Sequence, residues 1–154
     1  MKKNIIPAYF FLWLLFSLTT AHAESRQFGG FSLYIPTGWE AQESGSRVLL
    51  ASPGQICVVA IQVSDSAGMD SKLIASEISQ ILKGAEPEAI GVSGGYGFEA
   101  EVGGVPSRIR VNSYGSKFLL FSVTGDREAF APEIDKIWSS LEGEREQLRG
   151  GPGK

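Results

Sequence analysis

Two adjacent glycines, Gly103 and Gly104, interrupt a stretch of alternating residues and constrain this chain more than any other feature. Before them, Tyr96, Phe98, Ala100 and Val102 alternate with Gly97, Glu99 and Glu101. After them, Ile109 and Val111 alternate with Arg108, Arg110 and Asn112. A side-chain period of two belongs to a strand with one buried face, and Gly-Gly is a strong signal for a two-residue hairpin. With the glycines as the loop, Phe98 falls opposite Ile109 and Glu99 opposite Arg108. Apolar side chains then meet on one face and opposite charges on the other, so a single register satisfies both.

The same pattern recurs on either side of this hairpin. Phe31, Leu33 and Ile35 alternate with Ser32 and Tyr34, Pro36-Thr37-Gly38 supplies a turn, and Trp39 resumes extended structure. Arg47–Ala51 and residues 56–63 are short apolar or β-branched runs. Ser52-Pro53-Gly54-Gln55 separates them as a turn with Pro and Gly suitably placed. These segments predict a meander of antiparallel strands. Tyr114-Gly115-Ser116-Lys117 turns the chain into residues 118–124, where Phe118, Leu119, Leu120, Phe121 and Val123 leave almost no polar face. Such a strand is central and covered on both sides, and Gly125-Asp126 ends it.

Two helices are expected to provide that cover. Asp70 or Ser71 can cap a helix running through Leu82, with Ile74, Ile78, Ile81 and Leu82 on its buried stripe. Ser76, Glu77, Ser79, Gln80 and Lys83 take the outer face, with Gly84 as the stop. A second helix over residues 132–141 buries Ile134, Ile137, Trp138 and Leu141. Residues 142–154 are charged and then Gly/Pro-rich, a composition that predicts a disordered tail. The expected class is α+β, an antiparallel β-sheet flanked by helices as an α/β/α sandwich.

Ahead of this domain, residues 1–23 have the three parts of a secretory leader. Lys2 and Lys3 precede an apolar run from Ile5 to Leu18, and Ala21-His22-Ala23 gives a small-x-small cleavage pattern. Cleavage is expected after Ala23, leaving a single domain over residues 24–141, the tail, and no stable membrane anchor. The apolar run is shorter than the roughly 20 residues of a spanning helix. Loss of two lysines and no acid makes the remaining chain more acidic than the formal −3 of the whole. A nucleic-acid partner is disfavoured, because phosphate neutralisation dominates such binding. Periplasmic or secreted localisation follows. Cys57 is the one cysteine, so no disulfide forms within the chain. Its apolar surroundings, Ile56 and Val58-Val59-Ala60-Ile61, predict a buried thiol.

His22, the only histidine, lies in that leader. The domain is therefore expected to lack Ser-His-Asp and Cys-His catalysis and histidine-containing zinc sites. Gly91-Val92-Ser93-Gly94-Gly95 matches the nucleophile-elbow pattern, but an elbow needs a following helix and a histidine base. Gly95-Tyr96-Gly97-Phe98-Glu99-Ala100 has dinucleotide-fingerprint spacing but alternates as a strand instead of opening a helix. Asp65 and Asp70 lack calcium-loop spacing and suit turn and capping roles. No cofactor, metal or catalytic residue is assigned. Glu99, Glu101, Arg108 and Arg110 read as a cross-strand charge ladder. Alternatively, Arg108 and Arg110 share one sheet face and could hold a carboxylate in bidentate fashion. Tyr34, Trp39 and Tyr96 are the aromatics best able to line a groove, Trp39 being better suited to anchor the core. Arg108, Arg110, Tyr34 and Tyr96 are thus the candidate binding-surface residues.

Phe31-Ser32-Leu33-Tyr34-Ile35-Pro36-Thr37-Gly38-Trp39 resembles the opening of the PsbP-like and DcrB-like families. Ser52-Pro53, Thr124-Gly125 and Ser140-Leu141 resemble their later punctuation, so the likeness spans residues 28–141. The resemblance implies an antiparallel sheet sandwiched by helices. It also implies mostly non-enzymatic relatives: photosystem accessory subunits, a binder of a nuclear-transport GTPase, secretion-system chaperones and bacterial envelope proteins. The expected function is an exported, non-enzymatic binding or accessory protein with a protein partner, acting through protein–protein contact or a sheet-face groove. The alternatives are a periplasmic small-molecule carrier and a hydrolase without histidine. A large apolar pocket with convergent polar groups would favour carriage, and a flat apolar surface patch would favour a protein partner.

Overall fold

The computed structural model describes residues 22–29, 31–91 and 94–149, and of 142–149 the backbone alone. The expected leader up to residue 21, Val92 and Ser93 of the glycine-rich loop, and residues 150–154 of the expected tail lie outside the described residues.

The alternating segments form strands where the sequence places them. In chain order they are β1 (Glu24–Phe28), β2 (Phe31–Ile35), β3 (Glu40–Ser44), β4 (Arg47–Ala51), β5 (Cys57–Asp65), β6 (Glu88–Ile90), β7 (Gly95–Val102), β8 (Val105–Tyr114) and β9 (Lys117–Gly125). Helix α1 (Ser71–Leu82) follows β5, and α2 (Ala131–Arg149) follows β9. Seven strands make one antiparallel sheet in the order β3-β4-β5-β9-β8-β7-β6, so the apolar β9 is the middle strand, as its composition requires. Gly103 and Gly104 form the β7–β8 turn with φ of 61° and 81°. Phe98 pairs with Ile109 and Glu99 with Arg108. The turn before β5 is closed by a hydrogen bond from the Gln55 N–H to the Ser52 carbonyl, with Pro53 and Gly54 at its centre.

On one side of the sheet, α2 and the β1–β2 hairpin close over Val48, Leu50, Val59, Ile61, Leu119, Phe121 and Val123. On the other, α1 packs on Phe98, Ile109 and Val111, with Phe118 and Leu120 of β9 alongside. Each large side chain fully buried this way contributes roughly 1.5–3 kcal/mol, which stabilises the twelve-residue α1, too short to persist alone. The α+β architecture, a sheet flanked by helices, is thus present.

Several local expectations are corrected. β2 does not continue into the meander but pairs with β1, a polar strand that its sequence does not announce. β6 is a three-residue edge strand in a stretch whose sequence reads as loop. Within α1 the stripe is rotated: Ser71, Ile74, Ala75 and Ser79 are buried, whereas Ile81 is 78% exposed. Ser79 turns inward because its Oγ donates to the Ala85 carbonyl, which fastens the helix exit. Asp70 caps α1 as expected, accepting from the Leu73 N–H, but the left-handed residue at the other end is Lys83, not Gly84. Gly84 is required for a different reason. A Cβ there would lie 2.9 Å from the Glu99 carbonyl oxygen and 3.0 Å from Phe98, so the chain must pass bare against β7. Finally, α2 runs beyond Leu141 to Arg149, so residues 142–149 continue a helix where composition predicts a disordered tail. Glu, Gln, Leu and Arg in that stretch are good helix formers, and an existing helix is extended at little cost.

Candidate functional site

The register that pairs β8 with β9 sets Arg108 opposite Val123 and Arg110 opposite Phe121. Both arginines therefore rise from the α2 side of the sheet. Arg108 Nε donates to Glu99 Oε1 at 2.8 Å, the cross-strand pair expected from the hairpin. A third arginine, Arg127, is brought in by the β9–α2 connection. Its Nη1 donates to both Glu99 oxygens at 3.0 Å. Arg110 lies over the Trp138 ring of α2, with its Cζ 5.0 Å from the ring centroid, a cation–π contact that also fixes its direction.

Arg108 and Arg110 form a ridge between two open depressions. One, of about 340 Å³, lies over the β6–β7–β8 side and is lined by Glu86, Glu88, Ile90, Gly97, Glu99 and the two ridge arginines, among others. The other, of about 250 Å³, runs along α2. Phe121, Val123, Ala131 and Ile134 contribute its apolar surface, and Arg127, Glu128 and Asp135 join the ridge in supplying its charge. Burial alone would raise the Glu99 carboxyl, but the hydrogen bonds and charges of Arg127 and Arg108 outweigh it and hold the group below its ordinary value. Of the expected ladder the structure shows the Glu99–Arg108 pair, joined by Arg127, a member that sequence spacing could not reveal. Arg127 follows the Gly125-Asp126 break, and only the fold returns it to β7.

The other candidates are not brought to this ridge. Tyr96 packs in the cluster beneath α1, on the opposite side of the sheet. Tyr34 packs against the α2-side core from β2, its N–H donating to Ser140 Oγ. Aromatic strand residues close a core at least as readily as they line a groove. Cys57 is fully buried, and burial first, then Asp126, pushes its thiol up to about 11, so it is not poised as a nucleophile. Among the described residues no group of three His, Cys, Asp or Glu side chains is arranged to hold a metal ion, and no helix is long and apolar enough to cross a membrane.

No family model and no curated protein matches the sequence. The fold does have counterparts. The solution structure of cyanobacterial PsbP (CyanoP) from Synechocystis sp. PCC 6803 superposes with a TM-score of 0.53 over 82% of this chain and 95% of that one, at 12% identity. The fold is PsbP-like. A crystal structure from Bacteroides thetaiotaomicron VPI-5482 is similar at a TM-score of 0.50 and 16% identity, over 72% of this chain and 44% of that one.

The residues that carry the PsbP-like resemblance all have packing or turn roles here. The Trp39 N–H closes a turn on the Pro36 carbonyl, and its ring meets Phe130 edge-on at 5.5 Å. Ser52 Oγ accepts from the Cys57 N–H. A Cβ at Gly125 would stand 2.2 Å from the Ile56 carbonyl oxygen, so only glycine passes there. Ser140 ties α2 to β2. In the PsbP-like fold of this chain, that punctuation specifies architecture, and the arginine ridge is a separate feature of the surface.

Proposed function

We propose that this chain is an exported, non-enzymatic binding or accessory protein that works through protein–protein contact on the arginine-lined part of the α2 side. The observation that carries the reading is Arg110 seated on Trp138 between two open grooves that combine apolar surface with charged rims. Protein interfaces combine an apolar centre with a polar rim, and Arg and Trp are enriched among the residues that dominate their energy. Two further facts support the reading. The grooves are open rather than enclosed, which suits contact over carriage. Export is supported by the leader pattern of residues 1–23.

The test is cross-linking and affinity capture of the tagged protein from its native envelope, beside an Arg108→Ala/Arg110→Ala variant. A stoichiometric partner recovered by the parent and lost by the variant, with both equally folded, is the expected result. Recovery unchanged by the double substitution would exclude this face as the contact surface.

A further inference from the structure

The α1 side of the sheet is only half covered, because α1 is centred over β7 and β8. On the same side of β4, β5 and the end of β9, Leu49, Val58, Ala60, Gln62, Ser122 and Thr124 belong to neither buried cluster and keep solvent contact. Pairing joins them into one face, with Leu49 beside Ala60, Ala60 beside Ser122 and Val58 beside Thr124. Ile56, 54% exposed, extends it at one end. From Val58 to Ser64 and from Phe118 to Thr124 every position on this side is uncharged. A sheet face that meets only water is ordinarily polar, whereas depletion of charge marks the centre of a protein interface.

We propose that a second copy of this chain packs on this face, sheet against sheet, about a two-fold axis parallel to the strands between β4 and β5. Shape selects the second copy. Stacked sheets lie about 10 Å apart and a helix is about 10 Å across, so α1 fills half of one layer and leaves the other half open to four strands. The stated axis exchanges β4 with β5 and β3 with β9, and sets each α1 beside the other copy's β3. A two-fold axis across the strands would instead drive α1 onto α1. Leu49 then stands over Ala60 of the second copy, large against small. Arg47, whose Nη2 donates to Gln62 Oε1 at 3.2 Å, stands over Gln62 of the second copy, and Glu40 over its Thr124. Each charge therefore meets a neutral hydrogen-bonding group, and none meets its like.

α1 presents a suitable flank to this arrangement. At about 100° per residue, Lys72 and Ser79 share the flank turned to β6, where Ser79 reaches Ala85. Ile81 lies half a turn away, towards β9, and is 78% exposed. There it borders the outer edge of the second copy's β3, which has no strand partner within one copy and is the kind of edge that proteins cover with a helix. The four strands are about 19 Å across, and nine residues of β5 and β9 run about 30 Å. With Ile56 and the α1 flank added, the face is on the scale of the roughly 800 Å² per copy that a specific interface buries.

The test is sedimentation velocity over a concentration series of the tagged protein recovered from its native envelope, beside Ala60→Arg and Ser122→Lys. The parent should sediment as a dimer, and each substitution should raise the dissociation constant at least about a hundredfold with unchanged circular dichroism. Both positions face solvent in a lone copy, and if one variant fails to fold the other carries the test. Lys72→Glu, on the far flank of α1, should leave the dimer intact. A parent that stays monomeric at concentrations of about 100 μM would overturn the proposal. So would a folded Ala60→Arg or Ser122→Lys variant that dimerises like the parent, since the contact would then lie elsewhere. The arginine ridge stays on the outer side of such a dimer, so failure of this test leaves the partner face standing.

Discussion

α2 and α1 each cover one side of the same sheet, but only α2 has help. Among the described residues, α2, the β1–β2 hairpin and the sheet share a cluster of sixteen buried side chains, whereas α1 and the sheet share one of five. Central strand β9 divides its side chains between them: Leu119, Phe121 and Val123 point to α2, while Phe118 and Leu120 point to α1. The inequality separates two jobs. The α2 side anchors the fold, and the arginine ridge rises at its flank, where a rigid backing holds Arg110 and Trp138 in place. The α1 side is the lighter cover, closed mainly by one short helix and its caps.

The largest expected effect distinguishes the two sides with the same residue type. Phe121→Ala, in the large cluster and packed edge-on to Trp138 at 4.9 Å, should cost about 4–5 kcal/mol in urea unfolding. Phe98→Ala beneath α1 should cost about 3 kcal/mol. Equal losses would break the comparison. Next in size is the helix cap: Asp70→Ala should cost about 1 kcal/mol. Its signature is faster hydrogen exchange in the first turn of α1 with α2 unchanged. Faster exchange in both helices would mean that the two covers do not open separately.

Smallest is Glu99→Gln. The pair is exposed and screened, so the loss should stay below about 1 kcal/mol. The sign of its pH dependence is nevertheless fixed. Glu99 titrates lower in the folded chain than its ordinary 4.5. Its contribution is therefore present above that value and lost as pH falls through the folded one. Thermal melts should show the parent losing this increment on acidification and the glutamine variant lacking it. A variant with an unchanged acid limb would show that Arg108 and Arg127 do not favour the charged form.

Elements with a two-residue period and a turn chemistry of their own are legible in the amino-acid sequence alone. The β7–β8 register is the clearest case, because charge and burial patterns agree there. What escapes lacks a local signal. β1 is Glu-Ser-Arg-Gln-Phe with only Phe28 buried, so backbone pairing with β2 holds it, not a side-chain pattern. Ile81 and Ser79 exchange the roles that hydrophobicity assigns, because Ser79 is needed at the helix exit. The candidate surface is half visible. Arg108 and Arg110 share a face by spacing alone, but Arg127 and Trp138 reach them only through the β9–α2 connection.

The central claim is that recognition occurs beside α2 and not over α1. A photo-cross-linking residue at Ala131, exposed at the rim of the groove along α2, and another at Lys72, exposed on α1, test it most directly in the native envelope. A single adduct of discrete mass is expected from position 131, suppressed by Arg108→Ala/Arg110→Ala, and none from position 72. The same adduct from position 72 with none from position 131 would contradict it.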